Sequence, residues 1–180
     1  MDILVVVDLQ KDFIDGKLSI PDGNAVVQPI NNIKFRFDQV WFTLDWHPAN
    51  HCSFKEQGGI WPVHCLHYSM GASVPDCIME GLESQDIRFI QKAENPDIEE
   101  YGAFTHTAPE EGLFSKDDNL VVCGIASEYC VLETLRNLVR LRDAIGFKVS
   151  VFMDGCGCFE TQQPLLDFMS QNNVPEYNAL

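Results

Sequence analysis

The chain has 180 residues, with 12 Lys and Arg against 27 Asp and Glu, a formal net charge of -15. That length suits one domain, residues 1–180, with a core large enough to need neither disulfides nor a structural metal. The acidic balance argues against nucleic acid or an anionic membrane as partner, because phosphate contacts require clustered Lys and Arg.

The first residues run straight into the apolar stretch Ile3 to Val7, which predicts a strand and leaves no room for a signal peptide. Asn24 to Lys34 predicts a helix, Gln39 to Leu44 a second strand, Asp86 to Ile90 a third and Asn119 to Cys123 a fourth. Ser127 to Arg142 predicts a helix, with Val131, Leu135, Leu138, Val139 and Leu141 at mostly helical spacing and Ser127 as N-cap. Lys148 to Phe152 predicts a fifth strand and Gln162 to Gln171 a last helix. The strands are short, rich in β-branched residues and continuously apolar, so both faces are expected to be buried. Their alternation with helices predicts a three-layer α/β/α domain with a mainly parallel, Rossmann-like central sheet. The acidic excess falls on segments read as surface: Glu80 to Glu83, Glu94 to Glu100, and Glu110 with Glu111. Seven cysteines are an odd number, which with the lack of a leader places the expected compartment in the reducing cytoplasm. No apolar run reaches 18 residues, so no membrane span is expected.

In such sheets ligands bind outside the carboxyl ends of the strands. Asp8 ends the first strand, Asp45 and His47 the second, Lys92 the third, and Gly124 to Cys130 lead from the fourth into a helix. Four of the five histidines (His47, His51, His64 and His67, with His106 the fifth) crowd into 21 residues. An Asp and a His two apart at a strand end project to one side, and a third ligand can return from a loop, which builds an open site for Zn²⁺, Fe²⁺ or Mn²⁺. Cys52 and Cys65 lack the C-x₂₋₄-C spacing of a structural zinc site. Cys130 is expected in the first turn of a helix, where free N–H groups and the dipole lower a thiol pKa. Lys92 adds a cation, Asp8 a base for the thiol proton, and N–H groups near Ala126 and Cys130 a seat for an oxyanion. Read singly, Cys130 is a small buried hydrophobe, Asp8 a turn former and Lys92 a solvated strand end. Their convergence on one sheet edge is what favours an enzyme.

At these positions the chain resembles the nicotinamidase branch of the isochorismatase-like cysteine hydrolases. The matching pieces are Val6-Val7-Asp8-Leu9-Gln10-Lys11-Asp12-Phe13, Asp45-Trp46-His47-Pro48, Trp61-Pro62-Val63-His64-Cys65, Lys92 and Gly124-Ile125-Ala126-Ser127-Glu128-Tyr129-Cys130-Val131. They follow the family's order across nearly the whole chain. Two departures stand out: Leu66 to Met70 replaces a Gln-Gly-Thr stretch, and the acidic segment Glu94 to Glu100 follows Lys92.

The resemblance implies the isochorismatase-like hydrolase fold and an Asp8, Lys92, Cys130 triad that hydrolyses an aromatic carboxamide through a thioester. It implies an oxyanion hole at the N–H groups of Ala126 and Cys130, with a cis peptide between Ile125 and Ala126. The metal ligands carry over to Asp45, His47 and His64, with zinc the first choice of ion; Glu56 is the tentative fourth ligand and His51 its competitor. Phe13 and Trp61 match residues that sandwich the pyridine ring, and Tyr101 and Phe104 are candidates to close the pocket. The expected reaction is nicotinamide to nicotinic acid and ammonia, in NAD salvage, with pyrazinamide as a surrogate. The expected partner is a small aromatic amide, and the sequence is compatible with a homo-oligomer. Competing readings are an isochorismate or carbamoyl-group hydrolase of the same fold, a metallohydrolase with a metal-bound water as nucleophile, and a non-catalytic metal-binding domain. The last is disfavoured because the triad is complete and no glycine-rich phosphate loop follows the first strand.

Overall fold

The apolar run that opens the chain becomes the centre of the molecule. In a computed structural model, which describes residues 1–83, 86–105 and 112–179, β1 (Asp2–Val7) lies between β2 (Gln39–Asp45) and β4 (Asn119–Ile125). All of Ile3 to Val7 are fully buried, and each such side chain contributes about 1.5–3 kcal/mol relative to exposure. With β3 (Ile87–Lys92) beyond β2 and β5 (Lys148–Gly157) beyond β4, the order is β3-β2-β1-β4-β5 and every pairing is parallel. His106, Glu110 and Glu111 lie outside the described residues.

This order fixes the layers. From β1 the chain steps outward through β2 to β3, then returns to β4 on the other side of β1 and steps outward to β5. Right-handed crossovers running in opposite directions place their connections on opposite faces of the sheet. The first set carries α1 (Lys11–Ile14), α2 (Val27–Ile33) and α3 (Asp76–Met79); the second carries α4 (Leu132–Ile145), which packs against α5 (Gln163–Gln171). The carboxyl ends of β1 and β4 meet at the point where the order reverses, the place where open α/β sheets bind ligands. Gly124 permits that contact: its φ is +125°, and a Cβ there would stand 2.0 Å from the Val7 carbonyl oxygen.

Several expected boundaries move. The helix read from Asn24 to Lys34 is a 3-10 turn (Gly23–Val26), α2 and a second 3-10 turn (Lys34–Arg36). The helix expected from Ser127 begins as a single π turn, Ser127–Val131, closed by Val131 N–H on the Ala126 carbonyl at 3.1 Å. Ser127 does not cap it, because its hydroxyl instead donates to the Gly157 carbonyl at 2.9 Å. α4 continues to Ile145 and stops at Gly146 (φ +100°), which satisfies the Arg142 carbonyl. β5 outruns its apolar stretch: its register with β4 passes from Val122↔Val151 to Gly124↔Cys156, a bulge that lengthens the strand by residues no hydrophobic pattern marks. Among the described residues no helix is long and apolar enough to cross a membrane.

Candidate active site

Asp8, the residue after β1, has positive φ (47°) and a buried carboxylate. Its Oδ1 accepts the Thr43 hydroxyl at 2.7 Å, so β2 orients the acid on β1. Its Oδ2 lies 2.8 Å from Nζ of Lys92, the last residue of β3. That ammonium, also fully buried, contacts Asp45 Oδ1 and sits 3.3 Å from the Glu100 carbonyl and 3.8 Å from Cys130 Sγ. Cys130 Sγ and one oxygen from each of Asp8 and Asp45 lie within 4.8 Å of one another. Three strand ends and the π turn after a fourth thus deliver two carboxylates, an ammonium and a thiol to one point.

The electrostatics correct one expectation. Burial pushes the Cys130 thiol well above its ordinary value; Lys92 pulls it down, but Asp8 and Asp45 push it up again. The direction is thus opposite to that expected from the helix position: burial dominates, and the two carboxylates beside the thiol offset the pull of Lys92. Burial also raises the Asp8 carboxyl, against the pull of Lys92. Burial alone would raise Asp45 too, but Lys92 and His47 hold it well below the usual carboxylate range. Burial would lower Lys92, yet Asp45, Asp8 and Cys130 outweigh it and keep the ammonium charged.

The second oxygen of Asp45 faces two imidazoles. His47 Nε2 stands 3.4 Å from Asp45 Oδ2 and His64 Nε2 3.6 Å from it. In both rings Nδ1 addresses a carbonyl, Ala93 at 3.3 Å for His47 and Pro62 at 2.7 Å for His64, which leaves the Nε2 lone pairs turned toward Asp45. His47 Nε2 is buried without a hydrogen-bond partner, and the donor atoms of Asp45, His47 and His64 all fall within 4.8 Å of one another. Two imidazole nitrogens and a carboxylate oxygen converging in a buried site, one of them left unpaired, fit a divalent metal ion. The structure does not bring Glu56 to this group: it is exposed on the 3-10 turn Lys55–Gln57. His51 is close, 4.2 Å from His47 between ring centres, but both its nitrogens are engaged, Nδ1 by Ser53 N–H and Nε2 at the Ile98 carbonyl.

A pocket of about 330 Å³ opens over these groups, lined by Phe13, Trp61, Tyr101, Ala126 and Cys130 among others. Phe104 does not reach it; that side chain is buried in the core against Phe114, where the apolar environment outcompetes the pocket. Residues 66–70 stay off the lining as well, with Tyr68 90% exposed. Sequence reasoning missed Leu18, Ser53, Glu99 and Phe159, which come to the pocket from loops, and Tyr129, which comes from the π turn. The acidic segment after Lys92 is not all surface: Glu100 is buried and its Oε2 accepts Ala93 N–H at 2.8 Å. Buried polar residues brace the arrangement. Asp12 Oδ2 accepts Cys65 N–H beside His64 at 2.8 Å, and the Gln10 amide is bonded to Asp45 and Ala72. The peptide between Ile125 and Ala126 is cis, and all seven cysteines are free.

Comparison with known proteins places this arrangement. The nicotinamidase of Escherichia coli is 32% identical, over 85% of this chain and 81% of that protein. The nicotinamidase of Saccharomyces cerevisiae is 30% identical, over 86% and 87%. The pyrazinamidase of Pyrococcus horikoshii in complex with zinc has the same fold, with a TM-score of 0.79 at 28% identity over 98% of each chain. The isochorismatase domain profile matches residues 2–173, and the chain belongs to the isochorismatase domain family.

Proposed function

We propose that this protein hydrolyses nicotinamide to nicotinic acid and ammonia, and pyrazinamide likewise, as a step of NAD salvage. One observation carries the reading: the two oxygens of Asp45 address different sites, Oδ1 the Lys92 ammonium beside Cys130 and Oδ2 the His47 and His64 nitrogens. A substrate ring nitrogen and its carboxamide carbon can then be held at the two ends of one short span. Asp45, His47 and His64 would hold a divalent ion, which when bound would supply Lewis acidity toward the ring nitrogen. Zinc suits that donor set, as do iron and manganese, and metal analysis of the purified protein identifies the ion.

The remaining steps belong to the protein's own residues. Asp8 takes the thiol proton as Cys130 Sγ attacks the amide carbon, and the N–H groups of Ala126 and Cys130 receive the oxyanion. Asp8 returns the proton to the departing nitrogen, so ammonia leaves as the C–N bond breaks and a thioester forms. Water deprotonated by Asp8 attacks the thioester, releasing the acid and regenerating the thiol. Lys92 fixes Asp8 and balances charge through both half-reactions. Phe13 and Trp61 flank the ring, and the short reach between seat and thiol supplies the orientation that makes attack effectively intramolecular.

An isochorismate or ureido-acid substrate, which carries carboxylate charge, finds no side-chain cation on the pocket lining to pair with. The described lining contains Asp45 and Glu99 and neither Lys nor Arg. Ammonia release measured across nicotinamide, pyrazinamide, isochorismate and ureido compounds tests the assignment. Nicotinamide is expected to be the best substrate, and Cys130→Ala to abolish release with metal content unchanged. Retained turnover in that variant overturns the thiol chemistry.

A further inference from the structure

The segment that follows the β5 bulge is fastened to the turn that carries Cys130. The Gly157 carbonyl accepts the Ser127 hydroxyl at 2.9 Å. The N–H groups of Phe159 and Glu160 both donate to Glu128 Oε1, each at 2.9 Å. Gln162 Nε2 closes the segment on itself by donating to the Cys156 carbonyl at 2.7 Å. Three of these four bonds reach residues 127 and 128 of the π turn, so the loop and the nucleophile's backbone form one unit.

That unit presents an aromatic ring. Phe159 stacks on Trp61 with ring centres 5.7 Å apart and planes 24° from parallel, and meets Tyr129 edge-on at 6.1 Å. Behind it lies a second, more open cavity of about 700 Å³, bounded by Pro21, Asp22, Ala25 and Gln162 among others. Among the described residues Phe159 is the one side chain common to both linings. Phe159 therefore stands between the pocket over Cys130 and this second, solvent-open space.

We propose that Phe159 sets the upper size of the aromatic carboxamide this pocket accepts, and that Glu128 is the positioning residue that holds Phe159 in place. The proposal rests on the amide-hydrolase reading above and adds a size limit to it: unsubstituted single rings are admitted, and rings bearing an alkyl or aryl group on the side facing Phe159 are refused. On this proposal, removing the aromatic ring opens the pocket toward the second space and gives such a group somewhere to go. Glu128 acts at one remove. Without its oxygen two backbone N–H groups lose their acceptor, and the loop that carries the ring loosens.

The test is the kcat/KM ratio of substituted to parent nicotinamide, scanned with methyl and phenyl groups at each free ring carbon. For Phe159→Ala the ratio is expected to rise about tenfold at one ring position or more, the scale on which hydrophobic pockets discriminate by size, while nicotinamide itself becomes a poorer substrate. Phe159→Leu, a milder change that serves if the alanine variant does not fold, moves the ratio in the same direction for methyl groups. Glu128→Ala raises the ratio less, and Glu128→Gln, whose amide oxygen still accepts both N–H groups, restores it. A variant at position 159 that turns over nicotinamide with an unchanged ratio at every ring position overturns the size limit. An unchanged ratio in Glu128→Ala overturns the positioning role. Failure of the unaltered protein to release ammonia from nicotinamide overturns the functional assignment instead, so the two failures are distinguishable.

Discussion

The side-chain amide of Gln10 is paired in both directions with the peptide group of Asp45: Oε1 accepts the Asp45 N–H at 2.9 Å and Nε2 donates to the Asp45 carbonyl at 2.8 Å. Nε2 also donates to the Ala72 carbonyl at 3.0 Å, and the whole amide is buried. Gln10 thus extends the β2 backbone with a peptide-like pairing at the residue whose carboxylate serves both halves of the site. Replacing it by Ala leaves buried backbone groups unpaired, at about 1–3 kcal/mol each. Gln10→Ala is expected to weaken metal binding about tenfold, the scale of outer-sphere changes, as read by competition with a chromogenic chelator. Unchanged metal affinity would confine Gln10 to folding.

Thr43 has a comparable role toward Asp8, to which its hydroxyl donates. Thr43→Val keeps the volume and removes the bond, so the carboxylate loses its fixed orientation while the ring-binding walls stay. kcat for ammonia release is expected to fall about ten- to a hundredfold, within the range that positioned proton transfer contributes, with KM little changed. Thr43→Ser should recover most of the rate, and a KM effect in place of a kcat effect would contradict the assignment.

His47 separates binding from chemistry. With His47→Ala the ring-nitrogen seat is lost while Asp8, Lys92 and Cys130 keep their contacts, so KM for nicotinamide is expected to rise about a hundredfold, as misplacement of a substrate commonly costs. Iodoacetamide should still alkylate Cys130 in this variant, detected by mass spectrometry of the tryptic peptide. Loss of alkylation together with the metal would show that the two sites are not independent.

Glu99 is exposed at the pocket mouth, its Oε2 accepting the Ser53 hydroxyl at 2.7 Å. The proposed substrate is neutral and the proposed product an anion, so a carboxylate at the exit opposes rebinding of product alone. Glu99→Gln is expected to tighten inhibition by nicotinate about threefold at low salt, the scale of a screened charge pair, with little change in KM for the amide. The difference should vanish near 1 M salt, where the Debye length is about 3 Å.

Away from the site, Lys34 is a buried cation that no motif announced. Its Nζ donates to the carbonyls of Cys77, Ile78 and Glu80 at 3.2, 2.8 and 2.7 Å, closing the carboxyl end of α3. Lys34→Met is expected to cost about 2 kcal/mol, measured as a lower urea midpoint with an unchanged slope.

Much of this was legible in the sequence where burial is two-sided. The central strands announced themselves because they must be apolar on both faces, whereas β3, at the sheet edge with Phe89 51% exposed, is not buried on both faces as expected; Asp8, Asp45, His47, Lys92 and Cys130 could be grouped because each stands at or just beyond a strand's carboxyl end. What was hidden depends on loop paths. Phe159 arrives by way of a bulge in β5, Glu99 by a turn braced through Glu100, and neither path leaves a periodic trace. His51 and Glu56 looked equivalent as ligands because the sequence does not show that both nitrogens of one are already bonded and that the other faces solvent. Phe104 and Tyr101 looked alike too, three residues apart, yet one entered the core. The direction of the Cys130 shift was hidden for a related reason: the helix terminus was visible, but the full burial of the thiol, and the two carboxylates beside it, arise only when the strands assemble.

The interleaved strand order has a consequence for how the protein comes to life. Asp8, Asp45, Lys92 and Cys130 are contributed in chain order, but β4 must insert beside β1 after two outward crossovers. A nascent chain that has not yet reached Cys130 lacks the nucleophile, and the strand that leads to it, β4, pairs with the first strand made. Parallel pairings of this kind are slow to form because distant segments must meet first, so on refolding from denaturant helix content should return before ammonia release does. Enzymatic activity here requires, and so reports, the long-range pairing of β4 with β1.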